Sequence, residues 1–545
     1  MEASEIVNRV AALESQRKTL DNTYQVIEKF VRPFSGEFFK PLNSESEVDW
    51  RRRGIYDSTA IIACDLLAGQ IHANLVSPSV KWFDFQYRDT DVQKDMEAQQ
   101  WLDDLEEETW KTLSESDFNL QVAEFLTDIC SFGTAIMFEE EVDEMEWKGI
   151  DFSALPVRDC YHEPDAKDGL LRVYRRLQYT SLQLMDRFEM PQEWLDKYAD
   201  DKDVEVKWTV WFAVYPREDI RKDYEKKKIK PKQLAPKVRP WGYKYILEEG
   251  LLDLEEGGYY KMPAFRTMWK KTSGSRNGHS PAFICLSDVL QLNEVVKQSS
   301  EARAKAIDPA MITTERGVIG DVDLEPGGLT TVTDMDQLAV LESKARFDVQ
   351  NEEVYRLQTS IRSVFFIDKL ELKESPAMTA TEVNVRYERM MRQFASTLGR
   401  LQSDFLDKLL QLTISIIMRH NIMREPPDGV GEFDIVYTGP IPRAQQAEIA
   451  NSIAQYLADL ASLAEIYPEM LDRVDPDKAA LELQKVRGAP SKIMRTDKEV
   501  QVIRTARADE QRKMREAELL QQQGAAMEQA GKGAAAVGEV GDEQQ

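Results

Sequence analysis

The residues that could do chemistry are few and poorly placed for it. The stretch Asp321-Val322-Asp323-Leu324-Glu325-Pro326-Gly327-Gly328 has the acidic spacing that opens a calcium loop. Its sixth position is Pro326 instead of glycine, and its twelfth is Val332 instead of a bidentate glutamate, so the ligand geometry fails. Asp334/Asp336 and Asp475/Asp477 read as turn and cap residues. The four histidines, His72, His162, His279 and His420, include no pair at helical ligand spacing. His72 and His420 read as parts of helix surfaces. No GxxxxGK[ST], GxSxG or HExxH is present, and Gly531-Lys532 has no preceding strand. Gly274–Gly278 (GSRNG) is a turn, because the helix after it starts too late for a phosphate cradle. The four cysteines, Cys64, Cys130, Cys160 and Cys285, form no CxxC pair and read as thiols. The chain reads as non-enzymatic, with no cofactor and no metal.

Composition narrows the partners. The 545 residues carry a net charge of −26, which opposes tight, sequence-independent binding to duplex DNA but is compatible with DNA sliding past an acidic wall. The stretch 221–240 holds nine Lys/Arg against two acids, yet apart from Tyr224 it lacks the aromatics of a nucleic-acid surface and reads as a Pro-broken loop. No apolar run of about 18 residues suggests a membrane span, and the N-terminus does not read as a signal peptide.

The elements predict an α+β chain, mainly helical. Helices are expected over 6–31, 56–78, 94–115 and 118–132, with strands at 81–87 and 133–139. From Pro156 to about Arg217 the pattern is β-like, broken by a short helix at 180–188, and strands follow at 241–250 and 257–270. A helix N-capped at Ser287 ends at Asp308-Pro309, and its second half is rich in small residues: Ser299, Ser300, Ala302, Ala304 and Ala306. Short strands and turns fill 311–340, and a helix covers 348–366.

The longest signal is the stripe Val383, Tyr387, Met390, Phe394, Leu398, Leu401, Phe405, Leu409, Leu412 and Ile416. Its steps of three and four residues mark one long helix. Thr379 and Glu382 form a capping box at its start, and Gly399 is a candidate kink. One strand, 432–438, and further helices complete the chain. Asp475-Pro476 caps one helix and Thr496/Glu499 another, before a low-complexity tail at 524–545 that reads as disordered.

The order of these segments resembles the portal, or head-to-tail connector, proteins of short-tailed bacteriophages. The matching stretches are Trp50–Arg53 followed by YDSTAIIACDLLAGQIHANLVSP and WFDF; DGLLRVYRRLQYTSLQLMDRF; GYYKMPAFRTMWK; NGHSPAFICLSDVLQLNEVVKQSSEARAKAIDPAMI; and TATEVNVRYERMMRQFASTLGRLQSDFLDKLLQ. NGHSP at 277–281 departs from the family's more usual aromatic-Gly-Arg-Ser-Pro, and the basic stretch 221–240 looks like a local insertion. The resemblance implies a portal fold assembled as a ring of twelve subunits around a DNA channel at one capsid vertex. Residues 1–284 with strand 432–438 would form the wing, and 285–307 and 348–366 the stem helices. Residues 308–345 would form the clip, 367–378 the tunnel loop, 379–424 the long wing helix and 441–523 the crown. Asp368, Lys369, Glu371, Lys373 and Glu374 would face DNA in the tunnel. Glu315, Arg316, Asp321, Asp323 and Glu325 would form the clip's docking surface. Implied partners are other copies of the chain, the large terminase subunit, tail adaptor proteins, and the major capsid and scaffolding proteins. Double-stranded DNA would pass through the channel, with no membrane involved. The implied location is the virion, after assembly in the host cytoplasm. The alternatives are a metal-dependent nucleic-acid-processing enzyme using Asp321, Asp323 and Asp334, or a helical cytoplasmic scaffold unrelated to phage.

Overall fold

The computed structural model describes residues 1–33, 54–88, 96–166, 169–198, 206–218, 220, 234–272, 274–307, 311–313, 338–340, 347–367, 397–427, 432–438, 440–464, 467, 474–487, 495 and 499–516. It mixes helix and sheet, and its contacts divide into two units. The first comprises residues 1–83, 107–425 and 437–440; the second comprises 84–106, 426–436 and 441–545.

The first unit is built on two antiparallel sheets. The larger runs β4 (Cys160–Pro164), β5 (Leu170–Tyr179), β6 (Trp208–Pro216), β7 (Trp241–Leu247), β8 (Leu252–Tyr259) in sequence order. The smaller places β2 (Thr134–Glu141) between β3 (Ile150–Leu155) and β9 (Ala264–Met268). Because strand side chains alternate faces, the larger sheet presents two apolar surfaces. Tyr161, Tyr174, Trp211, Ala213, Tyr215 and Ile246 receive Ile6, Val10 and Leu13 of helix α1 (Ala3–Val31). Cys160, Val173, Phe212 and Val214 meet Ile136, Phe138, Leu155 and Ala264 of the smaller sheet. Strand β6 is therefore buried on both sides, which is why WTVWFAVYP is nearly continuous in apolar residues.

Arg17 fixes α1 to this sheet. Its guanidinium donates to the carbonyls of Val157 (2.8 Å), Arg158 (2.7 Å) and Cys160 (2.5 Å) and pairs with Asp21 at 2.8 Å. It also lies 4.0 Å from the centre of the Tyr161 ring. Arg17 and Asp21 are both buried, so the charge pair sits where neither member can rely on water.

Helices α2 (Thr59–Leu75), α3 (Met96–Glu115) and α4 (Phe118–Phe132) follow the periodicity of the sequence, with the helix expected at 56–78 shortened at both ends. Gly133 is not the first residue of a strand. It caps α4 in the left-handed region at φ 79°, where a side chain is strained. The short helix α5 (Ser181–Arg187) carries a complete capping box between Thr180 and Gln183, and α6 (Gln192–Tyr198) is a helix that periodicity did not reveal. Both cover the end of the larger sheet through Leu184, Phe188 and Trp194. All four cysteines are buried free thiols.

In the second unit, most of β1 (Phe83–Tyr87) pairs with β12 (Phe433–Tyr437) in a two-stranded sheet, with Phe85 5.4 Å from Phe433 between ring centres. Arg88 bridges Glu432 and Asp434 at 2.5 and 2.7 Å. Helices cover Pro440–Ala464, Pro476–Arg487 and 499–516. The Asp475 cap is formed as expected: its carboxylate accepts from the backbone N–H of Asp477 at 3.0 Å. Thr496 and the tail at 524–545 lie outside the described residues.

Candidate functional site

Two antiparallel helices and a strand pair between them occupy the part of the first unit to which sequence reasoning assigned the channel and docking roles. Helix α7 (Pro281–Ile307) begins earlier than expected. Its cap is Ser280 and not Ser287: the Ser280 hydroxyl accepts from the Phe283 N–H at 3.1 Å and donates to the Ser131 carbonyl at 2.6 Å. Pro281 then occupies the first helical position, where its missing N–H costs nothing. Helix α8 (Phe347–Val364) runs back along α7. Arg303 meets Asn351 at 3.1 Å, Gln291 meets Glu353 at 3.1 Å and Ser360 donates to Asp288 at 2.7 Å. Val289, Leu292, Leu357, Ile361 and Phe365 are buried.

Residues 54–57 brace the pair. The Tyr56 N–H donates to Asn293 at 2.7 Å, Asn293 donates to the Gly54 carbonyl at 3.0 Å, and Gln358 donates to Asp57 at 2.9 Å. Between the helices, β10 (Met311–Thr313) pairs antiparallel with β11 (Leu338–Val340), with Met311 opposite Val340. Of the small residues in α7, Ser299 is buried, whereas Ser300, Ala304 and Ala306 are exposed and Ile307 is 84% exposed. After α8 the chain turns at Phe366, which adopts a left-handed φ of 62° between buried Phe365 and Ile367. A bulky residue there is strained, and the packing on either side holds it.

Asp368, Lys369, Glu371, Lys373 and Glu374 follow directly and lie outside the described residues, as do Glu315, Arg316, Asp321, Asp323, Glu325 and Asp334. Most of the basic stretch, 221–233, lies outside them too. Among the described residues, no group of three His, Cys, Asp or Glu side chains could hold a metal ion, and no helix is long and apolar enough to cross a membrane.

The last part of the long helix forms a second organised region. Residues 397–401 are helical across Gly399, so the kink expected there is absent. The irregularity lies one turn later, as a π-turn at Gln402–Leu406. Such a turn inserts a residue into the ladder without breaking it. Helix α9 (Asp407–Arg419) follows and stops five residues short of Arg424, with His420 as its cap and Asn421 at φ 51°. Leu401, Phe405, Leu409, Leu412 and Ile416 are buried, as their spacing requires, and Phe405 lies 4.3 Å from Phe125 between ring centres.

Two glutamates on one face of β2 hold this helix. Glu139 accepts from the Thr413 hydroxyl at 2.7 Å. Glu141 pairs with Arg419 and lies 2.9 Å from His420 Nε2. Lys261 donates to the Gln411 carbonyl at 3.1 Å. Tyr260 lies beneath two guanidinium groups, with Arg419 4.4 Å and Arg239 4.6 Å from its ring centre, and Arg239 pairs with Glu144. His420 is therefore a partly buried junction residue, its side chain turned onto Glu141, and not a helix-surface one. Nothing in its spacing marked it; the signal was the pair of acids two apart in a strand otherwise apolar on that face.

The chain matches the family described as bacteriophage head to tail connecting protein over residues 3–494. It is 24% identical to the probable portal protein of Bordetella phage BPP-1, over 95% of this chain and 93% of that protein. It is 23% identical to the portal protein of Salmonella phage epsilon15, over 93% of this chain and 91% of that protein. Among solved structures it is similar to a chain in the neck of a native gene transfer agent particle, at 10% identity and a TM-score of 0.36, covering 76% of this chain and 91% of that one.

Proposed function

From the premise that this chain belongs to the bacteriophage head-to-tail connecting protein family, we propose that it is the portal of its virion. In this role it joins head to tail as a ring at one capsid vertex and is the conduit through which DNA enters and leaves. The observation that carries this reading is the match to phage portal proteins along more than nine-tenths of both chains. It favours a connector over a metal-dependent nucleic-acid enzyme or an unrelated helical scaffold. On this reading α7 and α8 are the stem, the segment between them that includes β10 and β11 is the clip, and 367–378 is the tunnel loop. The helices beyond residue 440 belong to the crown, and most of the sheet-bearing first unit belongs to the wing.

The exposed Ser300, Ala304 and Ala306 suit this role, because small side chains on an outer helix face let a neighbouring subunit's helix approach closely. A ring requires each subunit to offer different surfaces to its two neighbours. In the tunnel loop, Lys369 and Lys373 alternate with Asp368, Glu371 and Glu374, a mixture that touches phosphates briefly without holding them. The clip, with Glu315, Arg316, Asp321, Asp323 and Glu325, would dock the packaging terminase first and the tail adaptor afterwards, while the outer surfaces meet the capsid and scaffolding proteins. Assembly would take place in the host cytoplasm, with about twelve subunits.

Two results are expected. Negative-stain images and mass photometry of the purified chain show a large ring with a central channel; a population of monomers and dimers alone would overturn the reading. Exchange of Lys369 and Lys373 for Glu leaves ring assembly intact and lowers the yield of packaged or retained DNA. Unchanged DNA yield would remove the loop from its assigned place.

A further inference from the structure

Glu139 is 1% exposed, yet it sits in a strand whose neighbouring inward residues are apolar. One carboxylate oxygen accepts from Thr413, and the other, Oε2, has no hydrogen-bond partner among the described residues. A buried carboxylate satisfied on one oxygen only is costly in its charged form and far less so with a proton. The group it touches, the Thr413 hydroxyl, belongs to α9. Charge contacts near this point are also borne by Glu141 with Arg419 and His420, and by Lys261 on the Gln411 carbonyl.

We propose that Glu139 is a proton-operated latch that seats α9 on β2. With the proton bound, the carboxyl is neutral in the core and α9 stays down. Loss of the proton leaves a buried negative charge on a single hydroxyl, and α9 then lifts to let water reach it. The direction of its titration agrees with the geometry: burial pushes the Glu139 carboxyl well above the ordinary glutamate range, and the Thr413 hydroxyl and the Lys261 ammonium offset only part of that. Burial also pushes Lys261 down, helped by Arg419, so Lys261 is a weakened counter-charge.

The groups facing the latch from each packed element can be named. Thr413 and Arg419 come from α9, His420 is the residue that caps it, and Lys261 comes from the segment joining β8 to β9. Glu141 lies two residues along the same face of β2, and β3 places apolar Phe152 opposite Glu139. In β9, Arg266 is opposite Ile136, three residues from the latch.

The sign follows from linkage. When α9 is open, Glu139 is in water and titrates in the ordinary range of about 4.3. When α9 is closed, it holds its proton to higher pH. The closed state is therefore fully favoured below the ordinary range and loses ground as pH rises from there to the raised value, by up to about tenfold per pH unit for one proton.

Native-state hydrogen exchange of the full-length chain between pH 5 and 8 tests this. After correction for intrinsic exchange, protection of amides 407–419 is expected to fall with rising pH in the wild type. It should stay level in Glu139→Gln, which keeps the shape without the titration, while α4 amides are unchanged in both. Thr413→Val removes the donor that favours the charged form, so the fall should continue to higher pH than in the wild type. Identical pH slopes in wild type and Glu139→Gln, or a Thr413→Val profile displaced to lower pH, would overturn the latch.

Discussion

Arg17→Ala is expected to lower the unfolding free energy of the first unit by about 3–5 kcal/mol, the cost of leaving one member of a buried ion pair uncompensated. The substitution strands Asp21, which is 3% exposed and whose carboxyl burial already pushes upward against the pull of Arg17. It also removes the donors to the Val157, Arg158 and Cys160 carbonyls, which lead into β4. Arg17→Lys keeps the charge but not the planar fork that reaches three carbonyls and Asp21 together, so it should recover only part of the loss. Guanidinium unfolding of the full chain measures both variants. A loss under about 1 kcal/mol for Arg17→Ala would mean that α1 is held by its apolar face alone.

Gly278→Ala is expected to cost about 3 kcal/mol, the upper end for forcing an extra carbon into a packed interior. A Cβ at this position would lie 2.1 Å from the Gly133 carbonyl oxygen and 2.9 Å from Met268 Cβ. The first obstacle is backbone, which cannot rotate away. The contact is reciprocal, since a Cβ on Gly133 would lie 2.6 Å from the Gly278 carbonyl oxygen. Relief would break the Gly278 N–H bond to Thr134 Oγ1 (2.8 Å) and shift Ser280, the residue that starts α7. Gly69→Ala is the control. It lies mid-helix in α2 with nothing within 4 Å of the added carbon, so it should raise stability by about 0.5–1 kcal/mol. Equal effects of the two substitutions would refute the steric account.

Much of the architecture was legible because it depends on periodicity and on local stops. The stripe Leu401, Phe405, Leu409, Leu412 and Ile416 is buried as read. The 118–132 helix, the short helix expected at 180–188 and the Asp475 cap are formed where their residues indicated. Failures occurred where two local signals competed. Ser287 and Ser280 are both acceptable caps by type, and Pro281 was the discriminating residue, since proline is favoured in the first turn. Gly399 suggested a bend, but a glycine only permits one. The ladder instead takes in its extra residue at 402–406, where Phe405 packs on Phe125.

By itself, the sequence determined the kind of molecule: helices and strands in a recognisable order, no nucleotide-binding or hydrolase motif, and a chain-long likeness to phage connectors. These are properties of spacing and order, and they survive without knowledge of any contact between distant residues. Tertiary structure alone decided which charged groups are structural. Arg17, Asp21, Glu139, Arg419 and His420 look like ordinary surface residues in a chain that is 30% charged. Only packing removes water from them, and only the loss of water turns a hydrogen bond or a proton into something that can hold a helix in place.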